Sequence, residues 1–323
     1  MIKKKILVTG CNGFIGYSLC KKLIQTNKYK VFGIDNNNNY YDVDLKKNRL
    51  KQLNLLNGFK FFKLDITNNK LNNFFKKNKF DYVIHLAAQA GVRYSIYNPS
   101  VYYHNNINGF YNVLDCCQKY KVKHFLFAST SSVYGDNKKF PLKENFLTDS
   151  PKSFYAATKK INEIMAYSYS SIYKLKTTGL RFFTVYGPYG RPDMSLYSFA
   201  KNIIKKKYIN LYNYGNHYRD FTYIEDIVIS IEKLIPKFPK KKVPFEIYNL
   251  CNGKSVSLLK YLKLIENYLK IESKKKFLTL QKGDVIKTLG DNSKLFKTIN
   301  FKPKTNLKDG ISLFLNWFKN YVN

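Results

Sequence analysis

The chain has 323 residues, 45% of them hydrophobic, enough to bury a full core in one large domain or two joined lobes. Its 56 Lys and Arg against 21 Asp and Glu give a formal charge of +35, which alone points to nucleic acid or an anionic surface. Five cysteines without CxxC spacing and four scattered histidines exclude a disulfide framework and a structural metal site, and no apolar run has the length of a membrane span.

The charge has a plainer reading. The lysines accompany abundant Asn, Ile, Tyr and Phe and fall in short runs such as Lys205–Lys207 and Lys240–Lys242, a pattern of compositional drift at exposed positions. No RNP-like, helix-turn-helix or zinc-finger pattern accompanies them, so a nucleic-acid partner is not expected. The six residues from Ile6 to Cys11 end in glycine-rich sequence and do not resemble a signal peptide. A soluble, cytoplasmic protein with no membrane partner is the expectation.

Taken in order, short apolar runs alternate with amphipathic segments, which predicts βαβ units and a parallel sheet. The first strand, Lys5–Thr9, runs into Gly10-Cys11-Asn12-Gly13-Phe14-Ile15-Gly16 and a helix over Ile15–Gln25. Three glycines spaced GxxGxxG between a strand and a helix serve a tight turn, a close approach to a pyrophosphate, and helix–strand packing. The helix N-terminus adds free N–H groups and a positive dipole for phosphate. A second strand, Val31–Asp35, ends about twenty residues further on in Asp35, a carboxylate suited to an adenosine ribose 2′-hydroxyl, which favours NAD over NADP. After the polar loop Asn36–Asn39 come a strand at Phe59–Lys63, Asp65 placed to receive the adenine amino group, a helix at Leu71–Lys77 and a strand at Tyr82–Ala87.

A helix at Val101–Lys119 and a strand at His124–Ser129 lead into Phe127-Ala128-Ser129-Thr130-Ser131-Ser132-Val133-Tyr134-Gly135, hydroxyls at the strand end where open α/β sheets bind ligands. The next helix, Phe154–Tyr173, carries Tyr155 and Lys159 four residues apart and therefore on one face. A lysine and a nicotinamide cation nearby favour the phenolate, so the pair can remove a hydroxyl proton as hydride leaves the same carbon. After a strand at Thr177–Phe182 the alternation breaks and turn residues cluster at Gly187–Pro192. The division expected is a dinucleotide-binding domain over 1–184 and a smaller substrate lobe over 185–323, partly interleaved with it, in a Rossmann-type doubly wound α/β fold.

At this point the chain resembles the extended short-chain dehydrogenase/reductases that epimerise nucleotide sugars. The likeness runs nearly end to end, through the glycine turn, Leu86-Ala87-Ala88, the SSVYG segment, YxxxK and the C-terminal lobe. It implies NAD held by Gly10, Asn12, Gly13, Phe14, Ile15, Gly16, Asp35, Asp65, Ile66, Leu86, Ala87, Ala88, Asn105, Tyr155 and Lys159. Tyr155 would be the base, Lys159 would orient the nicotinamide ribose and lower the phenol's pKa, and Thr130 would bridge Tyr155 and the substrate oxygen.

Three segments resemble the UDP-glucuronate 4-epimerases in particular: His85–Ser95 with Arg93, Leu180–Met194 with Thr184 and Arg191, and Arg219-Asp220-Phe221-Thr222-Tyr223 with Gln281-Lys282-Gly283-Asp284. The resemblance implies that Thr184 and Arg191 meet the sugar and its carboxylate, with Ser131 and Ser132 beside them. Arg219 would bind the diphosphate, and Asp284 would lie near the uridine ribose. Related dehydratases and decarboxylases carry acidic residues where this chain has Ser131 and Ser132, which leaves simple epimerisation of a UDP-sugar. Epimerases of UDP-glucose or UDP-N-acetylglucosamine share the same catalytic residues and stay open as alternatives, as does, remotely, a nucleic-acid-binding protein with a vestigial fold. Tyr189, Cys251 and Cys11 stand where the family has Trp, Gly and a small apolar residue. Such enzymes are commonly homodimers through two helices, here Val101–Lys119 and Phe154–Tyr173.

Overall fold

In the computed structural model, which describes residues 3–322, the first strand sends Ile6 and Val8 into one apolar cluster and Leu7 into another on the opposite face. A strand buried on both faces reads as a continuous apolar run, which is why Ile6-Leu7-Val8 shows no polar alternation. Around it the chain forms β1 (Lys4–Thr9), α1 (Phe14–Gln25), β2 (Tyr29–Asp35), α2 (Val43–Asn54), β3 (Phe59–Lys63), α3 (Lys70–Asn78) and β4 (Tyr82–His85). Two single-turn helices, α4 (Tyr94–Tyr97) and α5 (Pro99–Tyr102), precede α6 (Gly109–Lys119), β5 (His124–Thr130), α7 (Phe154–Tyr173) and β6 (Thr177–Phe182).

The second half supplies β7 (Thr184–Tyr186), α8 (Ser195–Ile204), β8 (Tyr208–Leu211), β9 (Tyr218–Tyr223), α9 (Ile224–Leu234), β10 (Phe245–Leu250), β11 (Ser255–Ser257), α10 (Leu258–Leu269), β12 (Lys274–Phe277), α11 (Ser293–Ile299) and α12 (Leu307–Val322). Seven parallel strands make the main sheet in the order β10-β6-β5-β4-β1-β2-β3. The order reverses between β1 and β4, so a crevice opens above their C-terminal ends, where such sheets bind ligands. That crevice is stitched by Thr9, whose Oγ1 meets His85 Nδ1 at 2.8 Å and accepts the N–H groups of Leu86 and Ala87 at 3.2 and 3.1 Å.

The fold is the expected doubly wound sheet, with β3 and β6 at the expected bounds. Three differences have local causes. The helix expected at Val101–Lys119 is interrupted by a π-helical turn, Tyr103–Asn108. There Asn106 is buried, receiving the N–H of Gln89 at 2.7 Å and donating to its carbonyl at 3.0 Å, while Asn105 lines the cleft. The strand expected to reach Ala87 ends at His85, because Leu86–Ala88 leave the ladder to line the cleft. Helix α2 has no counterpart in the sequence reading, since VDLKKNRLKQLN is mostly polar. Asp42 caps it through the N–H groups of Asp44 and Leu45, and Leu45, Arg49 and Leu53, spaced by four, face inward.

The region past residue 185 serves both parts of the fold. β10 pairs with β6 in the main sheet and α9 packs on α1, while α8, α10 and α12 share a separate cluster with β8 and β9. The departures from the family pattern find room: Cys11 Sγ fills the space that Gly33 leaves, and Cys251 Sγ the space that Gly290 leaves. Tyr189 takes a hydrogen bond from Gln52 at 2.6 Å and packs on Trp317. Among the described residues no helix is long and apolar enough to cross a membrane, and no cluster of three or more His, Cys, Asp or Glu has a metal-binding arrangement.

Candidate active site

The glycine turn is built by exclusion. Gly10 has φ +71°, and a Cβ there would lie 2.7 Å from the backbone nitrogen of Ala87; at Gly16 it would lie 2.1 Å from the carbonyl of Gly10. The N–H of Gly13 closes the turn on Gly10 O at 3.0 Å, and α1 begins with no side-chain cap, leaving its first N–H groups to face an anion. Gly13, Phe14, Ile15 and Gly16 all line a cleft of about 960 Å³ that runs from this turn to Asp284.

At its far wall Asp35 accepts the N–H groups of Asn12 at 3.0 Å and Asn37 at 2.8 Å. Burial pushes its carboxyl above the ordinary value, with those N–H groups and the Lys46 and Arg49 cations opposing. Asn12 lies beneath the turn: its side chain donates to Asn37 at 2.7 Å, and its carbonyl accepts from Arg49 at 2.8 Å. The Asp65 carboxylate is held by Asn36 at 2.7 Å and by Thr67 through nitrogen and hydroxyl at 2.8 and 2.7 Å; the cleft wall there is Leu64 and Ile66. Every other expected cofactor residue, from Leu86–Ala88 to Asn105, lines the cleft.

Ser153 starts α7 by accepting the N–H of Ala156 at 3.2 Å, which sets Tyr155 in the first turn and Lys159 one turn on. Lys159 is buried and donates to the carbonyl of Ala128 at 3.0 Å, and burial lowers its pKa to about 7. Tyr155 lines the cleft with Thr130. Burial raises the phenol's pKa, and the Arg191 cation, then Thr130, oppose that rise. Thr130 Oγ1 also meets Ser132 Oγ at 3.2 Å, and the ring of Tyr102 packs edge-on against Tyr155 at 6.0 Å. Thr130, Ser131, Ser132, Thr184 and Arg191 share this stretch of cleft with Tyr155.

At the opposite end Arg93 pairs with Asp284 at 3.1 Å and lies 4.5 Å over the ring of Tyr212. Arg219 donates to the carbonyls of Tyr218 and Ile286 at 3.0 and 2.9 Å. Its neighbour Asp220 accepts the N–H groups of Asn252, Gly253 and Gly290 at 2.9, 3.0 and 3.1 Å, which pins the strand presenting Arg219. Two guanidiniums against one carboxylate leave a net positive end, fit for a diphosphate.

Several lining residues escaped the sequence reading. Lys46 reaches into the cleft from α2, and Tyr40 and Asp193 meet across it at 3.4 Å. Arg49 is fully buried and joins Asn12 O, Tyr41 Oη at 2.7 Å and Tyr189 O at 2.6 Å. A signal existed: five arginines survive among the lysines, and three of them, Arg49, Arg181 and Arg191, donate through two different nitrogens.

The sequence model of the NAD dependent epimerase/dehydratase family matches residues 6–251. Protein CapI of Staphylococcus aureus is 46% identical, over 98% of this chain and 99% of its own. UDP-glucuronate 4-epimerase 4 of Arabidopsis thaliana is 41% identical, over 98% of this chain and 76% of its own. The crystal structure of UDP-glucuronic acid 4-epimerase from Bacillus cereus in complex with UDP-glucuronic acid and NAD superposes with a TM-score of 0.93 at 33% identity, covering 98% of this chain and 99% of that one.

Proposed function

The chain belongs to the NAD-dependent epimerase/dehydratase family, and from that premise we propose that it inverts C4 of a UDP-sugar, interconverting UDP-glucuronate and UDP-galacturonate. One observation carries the choice of sugar: the guanidinium of Arg191 lines the same cleft as the Tyr155 phenol, with Thr130 and Thr184. A fixed cation beside the group that handles the C4 proton suits a substrate whose anion is on the neighbouring carbon, and a uronate bears its carboxylate at C5. The cleft fits the cofactor, because Gly10 and Gly16 let the turn pack tightly on Ala87 and on itself, where a Cβ would clash with backbone, while the N–H groups of α1 stay free.

NAD held in this cleft would supply the hydride acceptor and donor for C4. Tyr155 accepts the C4 hydroxyl proton and later restores it, with Thr130 relaying the hydrogen bond to the sugar oxygen. Lys159, fixed on Ala128 O, supports the cofactor ribose. Arg93, Arg219 and Asp284 keep the UDP end anchored, and a cleft of about 960 Å³ leaves the sugar room to turn over. The 4-keto uronate is a β-keto acid prone to lose CO₂. Thr184, Arg191, Ser131 and Ser132 would hold the carboxylate and supply no acid or base at the neighbouring carbons.

Exposed apolar side chains on two neighbouring helices, Tyr111 on α6 with Ile164, Tyr167 and Ile172 on α7, support a homodimer through them. Five buried, unpaired thiols suit a reducing compartment, which supports the cytoplasm, with the product passed on to polysaccharide synthesis. The test is incubation of the protein with UDP-glucuronate, UDP-glucose and UDP-N-acetylglucosamine in parallel, with NAD, and separation of gluco from galacto products. Turnover of UDP-glucuronate well ahead of the other two supports the reading; preference for a neutral sugar overturns it.

A further inference from the structure

The carboxylate that holds Arg191 is the chain's own. Nε and Nη2 of Arg191 meet Oδ1 and Oδ2 of Asp193 at 3.0 and 2.5 Å, the parallel two-bond fork that a planar guanidinium offers a carboxylate. Tyr40 reaches Asp193 Oδ2 from the far wall at 3.4 Å, and all three side chains line the cleft. Burial would push the Asp193 carboxyl up, but the Arg191 cation and its hydrogen bonds outweigh that and hold it below the ordinary value. The carboxylate is therefore ionised at neutral pH.

We infer that Asp193 is an internal competitor for Arg191 that sets which sugars the site accepts. The inference rests on the uronate reading above. A uronate carboxylate meeting an intact Arg191–Asp193 pair finds no net charge and a like charge beside it, so it binds well by displacing Asp193 from the fork. Asp193 can leave at small cost, because its side chain is 35% exposed against 21% for Arg191. A neutral sugar leaves the pair closed and no guanidinium unpaired. Arg191 is thereby kept from capturing stray anions, and the uronate gains the difference between two fork pairs instead of the whole of one. If Asp193 holds Arg191 about nine-tenths of the time, uronate affinity is about tenfold below that of a free fork.

The experiment measures dissociation constants of UDP-glucuronate and UDP-glucose by titration calorimetry on the full chain with NAD, and takes their ratio so that the diphosphate contribution cancels. Asp193→Asn is expected to improve the ratio in favour of UDP-glucuronate by about tenfold. Asp193→Ser removes the same carboxylate and stands in if the first variant does not fold. A ratio that stays put or moves toward UDP-glucose means that Asp193 merely steadies Arg191, and overturns the inference. Arg191→Ala separates this from the parent reading: if its ratio equals that of the unsubstituted chain, Arg191 does not hold the uronate and both fall.

Discussion

Arg181 on β6 grips Glu163 on α7 with Nε and Nη2 each at 2.8 Å, both side chains almost wholly buried, and Ser129 on β5 adds a hydroxyl at 2.6 Å. Glu163 lies one turn beyond Lys159, whose ammonium is tied to Ala128, and two turns beyond Tyr155, which lines the cleft with Thr130. Two consecutive residues of β5, Ala128 and Ser129, thus fix the register of the helix that carries the proposed chemistry. Removing one partner of a buried fork strands the other's charge. Glu163→Gln is expected to cost about 3 kcal/mol, read from the midpoint of a urea melt; an unchanged midpoint would show the fork to be dispensable.

Burial lowers Lys159 to about 7, while in the unfolded chain a lysine titrates near 10.4. Between those values the unfolded chain holds more protons at this residue, so its contribution to stability rises with pH across that window. In NAD-free protein, Lys159→Met should therefore be more stable than the parent at pH 7, with the gap closing toward pH 10. Urea melts at the two pH values check this, and a gap independent of pH contradicts it.

Asp35 ends β2 with each carboxylate oxygen already accepting one backbone N–H, from Asn12 and from Asn37. Its remaining lone pairs and its charge are what would favour a ribose hydroxyl over a 2′-phosphate. Asp35→Asn is expected to weaken NAD binding about tenfold and to narrow the preference over NADP. Dissociation constants from fluorescence titration decide, and an unaltered preference would remove Asp35 from cofactor selection.

The glycines divide by what surrounds them. At Gly16 a Cβ would stand 2.1 Å from a backbone carbonyl, whereas at Gly13 the nearest atom is 3.1 Å away and φ is an ordinary −71°. Gly16→Ala should destabilise by about 3 kcal/mol or fail to fold. Gly13→Ala should fold and show its loss in NAD affinity. Thermal melts with and without NAD separate the two, and equal behaviour would contradict the packing argument.

The parallel sheet was legible because Ile6–Val8, Tyr82–Ile84 and Phe125–Phe127 are apolar runs too short for helices, each followed by an amphipathic stretch. Tyr155 and Lys159 were legible as a pair because helical spacing puts them on one face; both line the cleft, and Lys159 is tied to Ala128. What stayed hidden depends on partners remote in sequence. Arg49 gains meaning only where Tyr189 comes back to it, 140 residues on. β10 reads as an ordinary strand of the second half until β6 is seen to lack a neighbour on that side. Asp193 looks like a turn residue, and its fork on Arg191 follows from backbone geometry that spacing does not encode.

The central claim is reversible hydride transfer at C4 with Tyr155 handling the proton. Its most direct test is incubation of the NAD-loaded chain, and of Tyr155→Phe, with UDP-glucuronate deuterated at C4, followed by mass and NMR analysis of the UDP-galacturonate formed. The account predicts that the parent chain yields product with the deuterium kept at C4, and that Tyr155→Phe binds NAD but turns over about a thousandfold more slowly. Deuterium lost to water, or turnover undiminished without the phenol, would contradict it.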